Sequence, residues 1–467
     1  MNYIERYRPL VADWDEFLAA VQRPLPTTIW VNPLKTTPEQ LATLLPVPMQ
    51  PMPWQANAFR LPADFQPGLH WTYLAGLFHL QEEVSMLPVM LLDPQPGERI
   101  LDLCAAPGNK TAQIGAAMRN EGLVIANDRD ISRMRAARQN LDRLGLLNIT
   151  TTTYDGSNFS KHAGTFDRIL VDAPCSCEGT CRKDPSALQK ASLNGSLKMA
   201  GPQKALLRKA VQLCRPGGRI VYATCTFAPE ENELVIDAIL REAGPDALRL
   251  LPAHIPGFAT SPGITEWQGD SLREELRPAL RIWPQQNDTG GFFIAVLEKG
   301  TAVSPTTPSD NTAPLDIERE PWLTILCERY GFTPAQFSSY HLFRWSRKRL
   351  YLVQQHHLPP NKLNADTIGL HFMNVDGKYP KLTTAAAMIF GHLATRNTID
   401  LEPEQVANYV ARHDFKISAT QASHCTGTGY IILRYQGFTM GVGVYRAHAG
   451  LVESLYPKGW IRENIYT

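Results

Sequence analysis

Short apolar runs alternate with amphipathic stretches through the first 300 residues. Five of these runs have the length of buried strands, at residues 99–103, 123–126, 168–171, 219–222 and 292–296. Between the second and third runs, residues 131–144 repeat apolar side chains at the spacing of one helix face, with Met134, Ala137, Leu141 and Leu144. Strands that alternate with helices predict an α/β fold in which helices cover both faces of a mostly parallel sheet.

The remaining segments predict smaller units around this α/β domain. Residues 1–75 are rich in proline and predict an N-terminal α+β subdomain, so the α/β domain is placed at 76–299. Threonine, serine and proline replace the periodic pattern at 300–316, which is typical of a linker. Helical patterns at 321–330, 383–393 and 403–413, followed by a glycine-rich strand pattern at 429–444, predict two C-terminal modules at 317–385 and 386–467.

Charge and cysteine content narrow the function only a little. The 467-residue chain has a formal net charge of +1, so overall basicity does not indicate a nucleic-acid partner. Residues 317–467 nevertheless contain 16 Lys and Arg against 11 Asp and Glu, and this excess of positive charge weakly favours contact with RNA. Eight cysteines are too few for a disulfide framework, and the sequence has neither a signal-like start nor a membrane-length apolar run. We expect a cytoplasmic protein without a membrane partner.

The first strand run leads into a turn of small residues and then into a helix. The turn consists of Cys104, Ala105, Ala106, Pro107, Gly108, Asn109 and Lys110. Neither the P-loop spacing nor Gly-x-Gly-x-x-Gly is present, so the turn favours a nucleotide-like cofactor without phosphates, such as S-adenosylmethionine. Asp128, Asp155 and Asp172 follow successive strands; each alone is typical of a turn or cap, but the set favours binding of ribose and adenine.

Two cysteines lie just beyond the ends of predicted neighbouring strands. Cys175 and Cys225 are either buried structural residues or a pair of thiols that face one pocket. The spacing of Cys175, Cys177 and Cys181 also suggests a zinc site, but the sequence contains no second pair of ligands for it. We therefore predict no metal and interpret Cys177 and Cys181 as bystanders.

Taken together, three motifs carry a family resemblance: the turn from Cys104, the segment Asp172-Ala-Pro-Cys-Ser, and Ala223-Thr-Cys-Thr. The chain resembles the Nol/Nop/Sun family of RNA cytosine-5 methyltransferases over about residues 25–300, including segments 81–88 and 290–293. Asn109 stands where glycine or serine is usual, and Thr226 where serine is common. The resemblance implies a Rossmann-like class I S-adenosylmethionine-dependent methyltransferase, with Cys225 as the nucleophile and Cys175 assisting release of the methylated RNA.

Cytosine chemistry supports these roles. Carbon 5 of cytosine is a poor nucleophile until a thiolate adds to carbon 6, and sulfur both adds and leaves readily. Asp172 would hydrogen-bond the base at nitrogen 3 and at its amino group, and Lys110 would support the same pocket. DNA cytosine methyltransferases lack the second cysteine, so we expect RNA and not DNA as the substrate.

Beyond residue 316, two stretches mix basic and aromatic residues, at 344–351 and 456–462. The end of the chain is similar to PUA-like RNA-binding modules, and the layout is most similar to the small-subunit ribosomal RNA methyltransferase F group of the family. This resemblance implies a monomer that acts on structured 16S ribosomal RNA near the decoding region, as naked RNA or in the small subunit. Two alternatives stay open: a transfer RNA cytosine-5 methyltransferase and a non-catalytic RNA-binding assembly factor.

Overall fold

The computed structural model describes residues 3–301, 320–360, 363–376 and 380–467. The N-terminal region contains the helices α1 (Trp14–Ala20), α2 (Pro38–Leu44), α3 (Trp71–Leu74) and α4 (Glu83–Leu92). Its strands are β1 (Thr27–Val31), β2 (Gln50–Met52), β3 (Gln55–Leu61) and β4 (Phe78–Leu80). They form an antiparallel sheet in the order β2-β3-β1-β4. Because β4 pairs with β1, this sheet extends past residue 75, where we place the domain boundary from sequence, and that boundary stays a prediction.

The central region forms a larger sheet with helices on both faces. The strands of this region are β5 (Arg99–Asp102), β6 (Leu123–Asn127), β7 (Ile149–Thr152), β8 (Phe166–Asp172), β9 (Cys214–Thr224), β10 (Leu248–Leu250), β11 (Ser261–Pro262), β12 (Glu266–Trp267), β13 (Asp270–Ser271), β14 (Leu280–Ile282) and β15 (Phe292–Lys299). Strands β12 and β13 pair with each other outside the larger sheet. Its helices are α5 (Asn109–Ala117), α6 (Ile131–Leu144), α7 (Ser186–Lys190), α8 (Leu193–Leu213), α9 (Glu233–Ala243) and α10 (Pro284–Asn287). Two apolar cores cover the two faces of the sheet, one including residues of α4, α5 and α6 and the other residues of α8 and α9.

The strands β7, β6, β5, β8 and β9 are parallel neighbours in that order, which confirms the predicted α/β fold. The apolar run at 292–296 is also a strand, as predicted, but β15 runs antiparallel to β9. A fully buried strand is apolar throughout in either direction, so its pattern does not show which way it runs. The sheet is therefore mixed, and its parallel part carries the strand ends that form the site.

Helix α6 has the predicted bounds, and its termini explain why. The Asp130 side chain accepts hydrogen bonds from the backbone N–H groups of Ser132 and Arg133 at 2.8 and 3.1 Å, which caps the first turn. Gly145 ends the helix with a φ of +83°, a conformation that other residues rarely adopt. The predicted apolar face is buried in the structure.

The C-terminal third contains two further sheets. Its helices are α11 (Glu320–Tyr330), α12 (Thr384–Phe390) and α13 (Pro403–Val410). Its strands are β16 (Tyr340–Ser346), β17 (Arg349–Gln354), β18 (Thr367–Ile368), β19 (Leu370–Asn374), β20 (Lys381–Leu382), β21 (Thr398–Asp400), β22 (Phe415–Lys416), β23 (Gly429–Tyr435), β24 (Phe438–Arg446) and β25 (Leu451–Ser454). The sheets have the orders β16-β17-β19-β20 and β21-β23-β24-β25-β22. Helix α12 spans residue 385 and packs on strands of both sheets, and the division into two modules there stays a prediction.

Short 3-10 helices connect these elements throughout the chain. They are Tyr3–Leu10, Pro67–Leu69, Gly156–Asn158, Lys161–Ala163, Glu178–Thr180, Glu274–Leu276, Pro334–Phe337, Gly391–Leu393, Gln421–His424, Ala447–Ala449 and Lys458–Trp460. The predicted linker at 300–316 lies, apart from Gly300 and Thr301, outside the described residues. Within the described ranges, no helix has the length and apolar character needed to cross a membrane.

The C-terminal third docks directly onto the central sheet. Strand β18 pairs antiparallel with β7 and so forms the last strand of the central sheet. The backbone N–H of Gly369 donates to the Ile149 carbonyl at 2.9 Å, and Arg138 on α6 donates to the Gly369 carbonyl at 2.5 Å. His357 is fully buried and hydrogen-bonds the Thr150 hydroxyl at 2.8 Å. The edge strand β7 is therefore paired on both sides.

We predict that Gly369→Ala destabilises the chain by disturbing the packing of β17 against the segment that follows β18. Gly369 has a φ of +62°, and an added Cβ would lie 2.1 Å from Val353 Cγ1 and 2.5 Å from the Leu352 carbonyl oxygen. The cost should be about 1–2 kcal/mol for the left-handed backbone and about 1–3 kcal/mol more for the clash. The measurement is the midpoint of thermal unfolding of the full chain.

The matched control is Gly437→Ala, since Gly437 has a φ of +81° but nothing within 4 Å of an added Cβ. It carries the backbone cost alone, so its midpoint should fall less than that of Gly369→Ala. Equal midpoints for the two variants would show that the close approach of β17 to Gly369 does not stabilise the chain.

Candidate active site

The turn after β5 is held in a fixed shape by hydrogen bonds to the next strand. Ala105 donates its backbone N–H to the Asn127 carbonyl at 2.7 Å, and Ala106 donates to a carboxylate oxygen of Asp128 at 3.2 Å. Gly108 has a φ of +95°, and a Cβ there would lie 2.9 Å from the Cβ of Ala137 on α6. The turn therefore needs glycine at this position both for the backbone angle and for the packing of α6.

A buried histidine braces the start of α5. Arg143 donates from Nη2 to Nδ1 of His79 at 3.0 Å, so the other ring nitrogen, Nε2, donates to the side-chain oxygen of Asn109 at 3.0 Å. Burial, together with the charge of Arg143, lowers the pKa of His79 to about 3, which keeps the ring neutral. Asn109, the residue that departs from the family pattern, is thus tied to the N-terminal region.

A cavity of about 330 Å³ lies beside this turn. Cys104, Asp128 and Asp155 line it, in agreement with their predicted places at strand ends. The remaining lining residues are Leu103, Arg129, Arg133, Gly156, Ser157, Pro174, Met199, Pro202 and Leu206. A lining that combines two carboxylates with apolar side chains suits a ligand with hydroxyl and amino groups and a flat ring. The residues present therefore fit S-adenosylmethionine.

The aspartates at the strand ends also have local roles. Asp155 accepts from the backbone N–H and the hydroxyl of Ser157 at 2.9 and 2.8 Å and so begins a 3-10 helix. Asp128 braces the turn through Ala106, as described above, and Asp130 donates its N–H to the other oxygen at 3.0 Å. The two sequence interpretations, cap and cofactor contact, are thus compatible because these carboxylates line the cavity while they hold the backbone.

Lys110 and Asp172 meet next to the cavity. The Lys110 ammonium lies 2.7 Å from a carboxylate oxygen of Asp172 and 3.0 Å from the Ser85 hydroxyl. The Lys110 side chain is nearly buried, whereas the Asp172 side chain is 31% exposed. A charge-assisted hydrogen bond from a buried lysine orients the carboxylate while one side stays accessible to a ligand.

The two predicted thiols lie side by side, because β8 and β9 are parallel with Asp172 opposite Ala223. The sulfur atoms of Cys175 and Cys225 are 3.4 Å apart, and both residues are partly exposed. Cys177, interpreted from sequence as a bystander, is exposed, and its sulfur is 4.0 Å from that of Cys175. Cys181 is buried and does not belong to this group. Cys177 therefore lies beside the thiol pair, and its interpretation as a bystander of the reaction stays a prediction.

The three thiols shift one another's acidity. Hydrogen bonds from Cys175 and then Cys225 lower the pKa of Cys177 to about 3. Hydrogen bonding to Cys177 and Cys225, with burial, raises the pKa of Cys175. The hydrogen bond from Cys175 lowers the pKa of Cys225, but the one to Cys177 and burial outweigh it and raise the pKa overall. The group therefore shares one negative charge most readily on Cys177.

A buried glutamate that sequence reasoning missed holds the loop after Cys177. One carboxylate oxygen of Glu178 accepts from the Tyr7 hydroxyl at 2.8 Å, from the Thr226 hydroxyl at 3.2 Å and from the Phe227 N–H at 3.3 Å. Burial raises its pKa to about 7. These contacts join the N-terminal region to the residue next to Cys225. Local sequence motifs do not predict these contacts, because Tyr7 is 171 positions from Glu178 in the sequence.

Comparison with known proteins supplies the context for this geometry. A family model described as 16S rRNA methyltransferase RsmB/F matches residues 89–298, and a model of the N-terminal domain of 16S rRNA methyltransferase RsmF matches residues 1–83. The chain is 32% identical to the ribosomal RNA small subunit methyltransferase F of Aeromonas salmonicida, over 99% of this chain and 97% of the relative.

Other relatives match a smaller share of the chain. The tRNA (cytosine(49)-C(5))-methyltransferase of Pyrococcus abyssi is 39% identical over 63% of this chain and 95% of its own length. A crystal structure of a methyltransferase homolog protein from Pyrococcus horikoshii superposes with a TM-score of 0.57 at 35% identity, over 63% of this chain and 93% of that one. Over that share of the chain, the fold is thus shared with a solved methyltransferase homolog.

We predict that alkylation distinguishes the three thiols. Only the thiolate reacts, so at about pH 6 iodoacetamide should modify Cys177 before Cys175 or Cys225, whose raised pKa values delay reaction until alkaline pH. Peptide mass spectrometry at low extents of reaction gives the order. Cys425, half-exposed and with a pKa raised by burial, is the internal control. Equal rates for Cys177 and Cys225 at the acidic pH would contradict the shared charge.

Proposed function

Because the chain belongs to the 16S rRNA methyltransferase RsmB/F family, we propose that it methylates carbon 5 of a cytosine in 16S ribosomal RNA near the decoding region. The methyl donor is S-adenosylmethionine. The observation that carries the assignment of the reaction is the pair of thiols 3.4 Å apart beside the Lys110–Asp172 ion pair. One thiol alone supports addition to a base, whereas two neighbouring thiols allow addition and release to be separate tasks.

Cys225 is assigned as the nucleophile. Its sulfur adds to carbon 6 of cytosine, and the electron pair of the carbon 5–carbon 6 double bond makes carbon 5 reactive. Because the pKa of Cys225 is raised, its thiol proton must leave as the carbon–sulfur bond forms, and it passes to solvent, to which Cys225 is partly exposed. Asp172, oriented by Lys110, hydrogen-bonds the amino group and nitrogen 3 of the base while charge develops on the ring.

Cys175 is assigned to the release step. After carbon 5 carries the methyl group, its proton must be removed before the carbon 6–sulfur bond breaks and the double bond re-forms. Cys175 lies beside Cys225 and is partly exposed, so it faces the same base. Its role is to promote loss of that proton and expulsion of the Cys225 thiolate.

The cofactor cavity supplies the methyl group to this pocket. When bound, S-adenosylmethionine provides an electrophilic methyl group that carbon 5 of the base can accept. Asp128 is assigned to the ribose hydroxyls and Asp155 to the adenine amino group, since both line the cavity. Arg133 donates to the Ala106 carbonyl at 2.6 Å and lines the same cavity, which makes it an additional cofactor-contact residue of the proposal. The turn from Cys104 to Lys110 approaches the ligand through its backbone.

We expect the two cysteine variants to behave differently. Cys225→Ala should abolish methylation, because no sulfur is left to add to carbon 6. Cys175→Ala should accumulate a covalent adduct with RNA, visible as a shifted band on a denaturing gel, because addition proceeds and release stops. The substrates are 16S ribosomal RNA and, in parallel, transfer RNA, each with S-adenosylmethionine.

The control for this experiment is Cys425→Ala in the C-terminal third, which should methylate like the unchanged chain and form no stable adduct. Normal turnover by Cys175→Ala would show that Cys175 is not needed for release. An adduct with transfer RNA but not with ribosomal RNA would show that transfer RNA is the substrate. The absence of an adduct with either RNA would contradict the proposed reaction.

Transfer RNA is the second candidate substrate, because the Pyrococcus abyssi relative, which is named as a transfer RNA cytosine-5 methyltransferase, is 39% identical over 63% of this chain. Ribosomal RNA is favoured, because the Aeromonas relative named for small-subunit ribosomal RNA aligns over 99% of this chain. An assembly factor without catalysis is disfavoured by the intact thiol pair and ion pair.

We propose that the turn between β16 and β17 is part of the RNA contact, within PUA-like modules. Arg347, Lys348 and Arg349 are exposed there, and half-buried Trp345 lies 5.6 Å from the Tyr351 ring. The second basic and aromatic stretch is less available for base stacking, because its Tyr456 is buried in a core that residues of the N-terminal region and the C-terminal third form together. Basic side chains with one accessible ring suit a phosphate contact with limited stacking.

The double change Arg347→Ala and Lys348→Ala should weaken binding to 16S ribosomal RNA. The slope of the logarithm of the binding constant against the logarithm of salt concentration should fall by about 1 for each phosphate that the variant no longer neutralises. Arg249→Ala is the control, since exposed Arg249 on β10 pairs with Glu298 at the opposite end of the sheet from the site. An unchanged slope, or an equal weakening in the control, would contradict an RNA contact at this turn.

We further propose that the protein acts in the cytoplasm as a monomer and has no DNA or membrane partner. None of the eight cysteines, all of which lie within the described residues, forms a disulfide bond, and this is typical of a reducing compartment. Both catalytic thiols depend on that state, because a disulfide between them would remove the nucleophile.

A further inference from the structure

Three sulfur atoms meet at the ends of β8 and β9, although the proposed reaction uses two. The sulfur atoms of Cys175, Cys177 and Cys225 all lie within 4.8 Å of one another, with 3.4 Å between Cys175 and Cys225 and 4.0 Å between Cys175 and Cys177. Cys177 has no assigned part in methyl transfer. A cluster of three thiols is, however, a ligand set for soft cations.

The separations match those in a metal–thiolate site. Zinc–sulfur bonds of about 2.3 Å in a tetrahedral arrangement place the sulfur atoms about 3.8 Å apart. The two measured separations fall on either side of this value. Bringing the third pair to the same distance requires a shift of about 1 Å at most, given its present limit of 4.8 Å.

The backbone holds Cys177 over the other two thiols. Its φ and ψ of 61° and 21° are left-handed, a conformation that non-glycine residues adopt at a cost of about 1–3 kcal/mol. Gly179 donates its N–H to the Cys225 carbonyl at 2.8 Å, and Gly291 donates to the Gly179 carbonyl at 2.9 Å. A Cβ on Gly179 would lie 2.2 Å from the Gly291 carbonyl oxygen, so the loop cannot lift without breaking these contacts.

We propose that Cys175, Cys177 and Cys225 bind a thiophilic divalent cation of the zinc class. Each sulfur–metal bond replaces a sulfur–hydrogen bond, and the thiol protons still present pass to solvent. Among the described residues, no fourth histidine, cysteine or carboxylate ligand joins the group, so the remaining position is open to water. An open position and partly exposed thiols make the ion exchangeable, in contrast to a closed structural zinc site.

This ligand set differs from the one considered from sequence. The sequence pattern suggests Cys175, Cys177 and Cys181, three residues of a single loop, as the metal ligands. Cys181, however, is buried and does not belong to the group. Cys225, from the neighbouring strand, takes its place because β8 and β9 end next to each other. The site therefore includes the assigned nucleophile. Resting on the proposed function, the bound cation blocks methylation because Cys225 cannot add to cytosine while it is a ligand.

The test is a titration of the full chain with Cd²⁺, a spectroscopic stand-in for zinc, under a non-thiol reductant that prevents disulfides. One Cd²⁺ per chain should bind and produce thiolate-to-metal charge-transfer absorption. Cys177→Ser and Cys225→Ser should each lose about a third of that absorption and about tenfold or more of the affinity. Cys425→Ser, in the C-terminal third, should match the unchanged chain.

A second readout connects the site to activity. Zinc should inhibit methylation by the unchanged chain, and a chelator should restore it. Cys177→Ser, compared with its own rate in the absence of zinc, should lose this sensitivity to zinc. The proposal is overturned if stoichiometric Cd²⁺ gives no charge-transfer band, or if the band is unchanged in both Cys177→Ser and Cys225→Ser. The absorption measurement needs no RNA. It therefore tests cation binding even if the chain proves not to methylate RNA.

Discussion

The pairing register of β8 and β9 is the constraint on which the site depends. Asp172 lies opposite Ala223, and Ala173 continues the ladder by donating to the Ala223 carbonyl at 2.9 Å. From that pair, the two chains reach Cys175 and Cys225 side by side. A shift by one residue would turn every side chain of one strand to the other face, which would separate the thiols and move Asp172 away from Lys110.

The N-terminal region supports this edge of the sheet from two directions. Tyr7 reaches Glu178 in the loop that carries the thiols, and His79 reaches Asn109 at the start of the cofactor helix. Tyr7, Glu178 and His79 are buried, so loss of either contact would leave a buried polar group without its partner. The small first region is therefore part of the scaffold of the site, which explains why family resemblance extends across it as well as across the α/β domain.

Sequence patterns predict those features of the fold and the site that depend on interactions between residues close together in the sequence. The bounds of α6 follow from its cap and its apolar face. Cys175, Cys225 and the turn from Cys104 lie in short motifs in which the residue types alone indicate the chemistry. The direction of β15, the arrival of Cys177 beside Cys225 and the contact of Tyr7 with Glu178 depend on distant partners. A single sequence carries no periodicity or composition that encodes such meetings. The docking of β18 on β7 belongs to the same group.

That docking also sets an order of events during synthesis. Strand β7 ends at Thr152, but the strand that covers its outer edge begins at Thr367. At a synthesis rate of about 5–20 residues per second, the nascent sheet waits about ten to forty seconds for its last strand. Open strand edges recruit other chains. During this interval the outer edge of β7 presents its unpaired backbone N–H and C=O groups, while its three threonine side chains project from the two faces of the sheet.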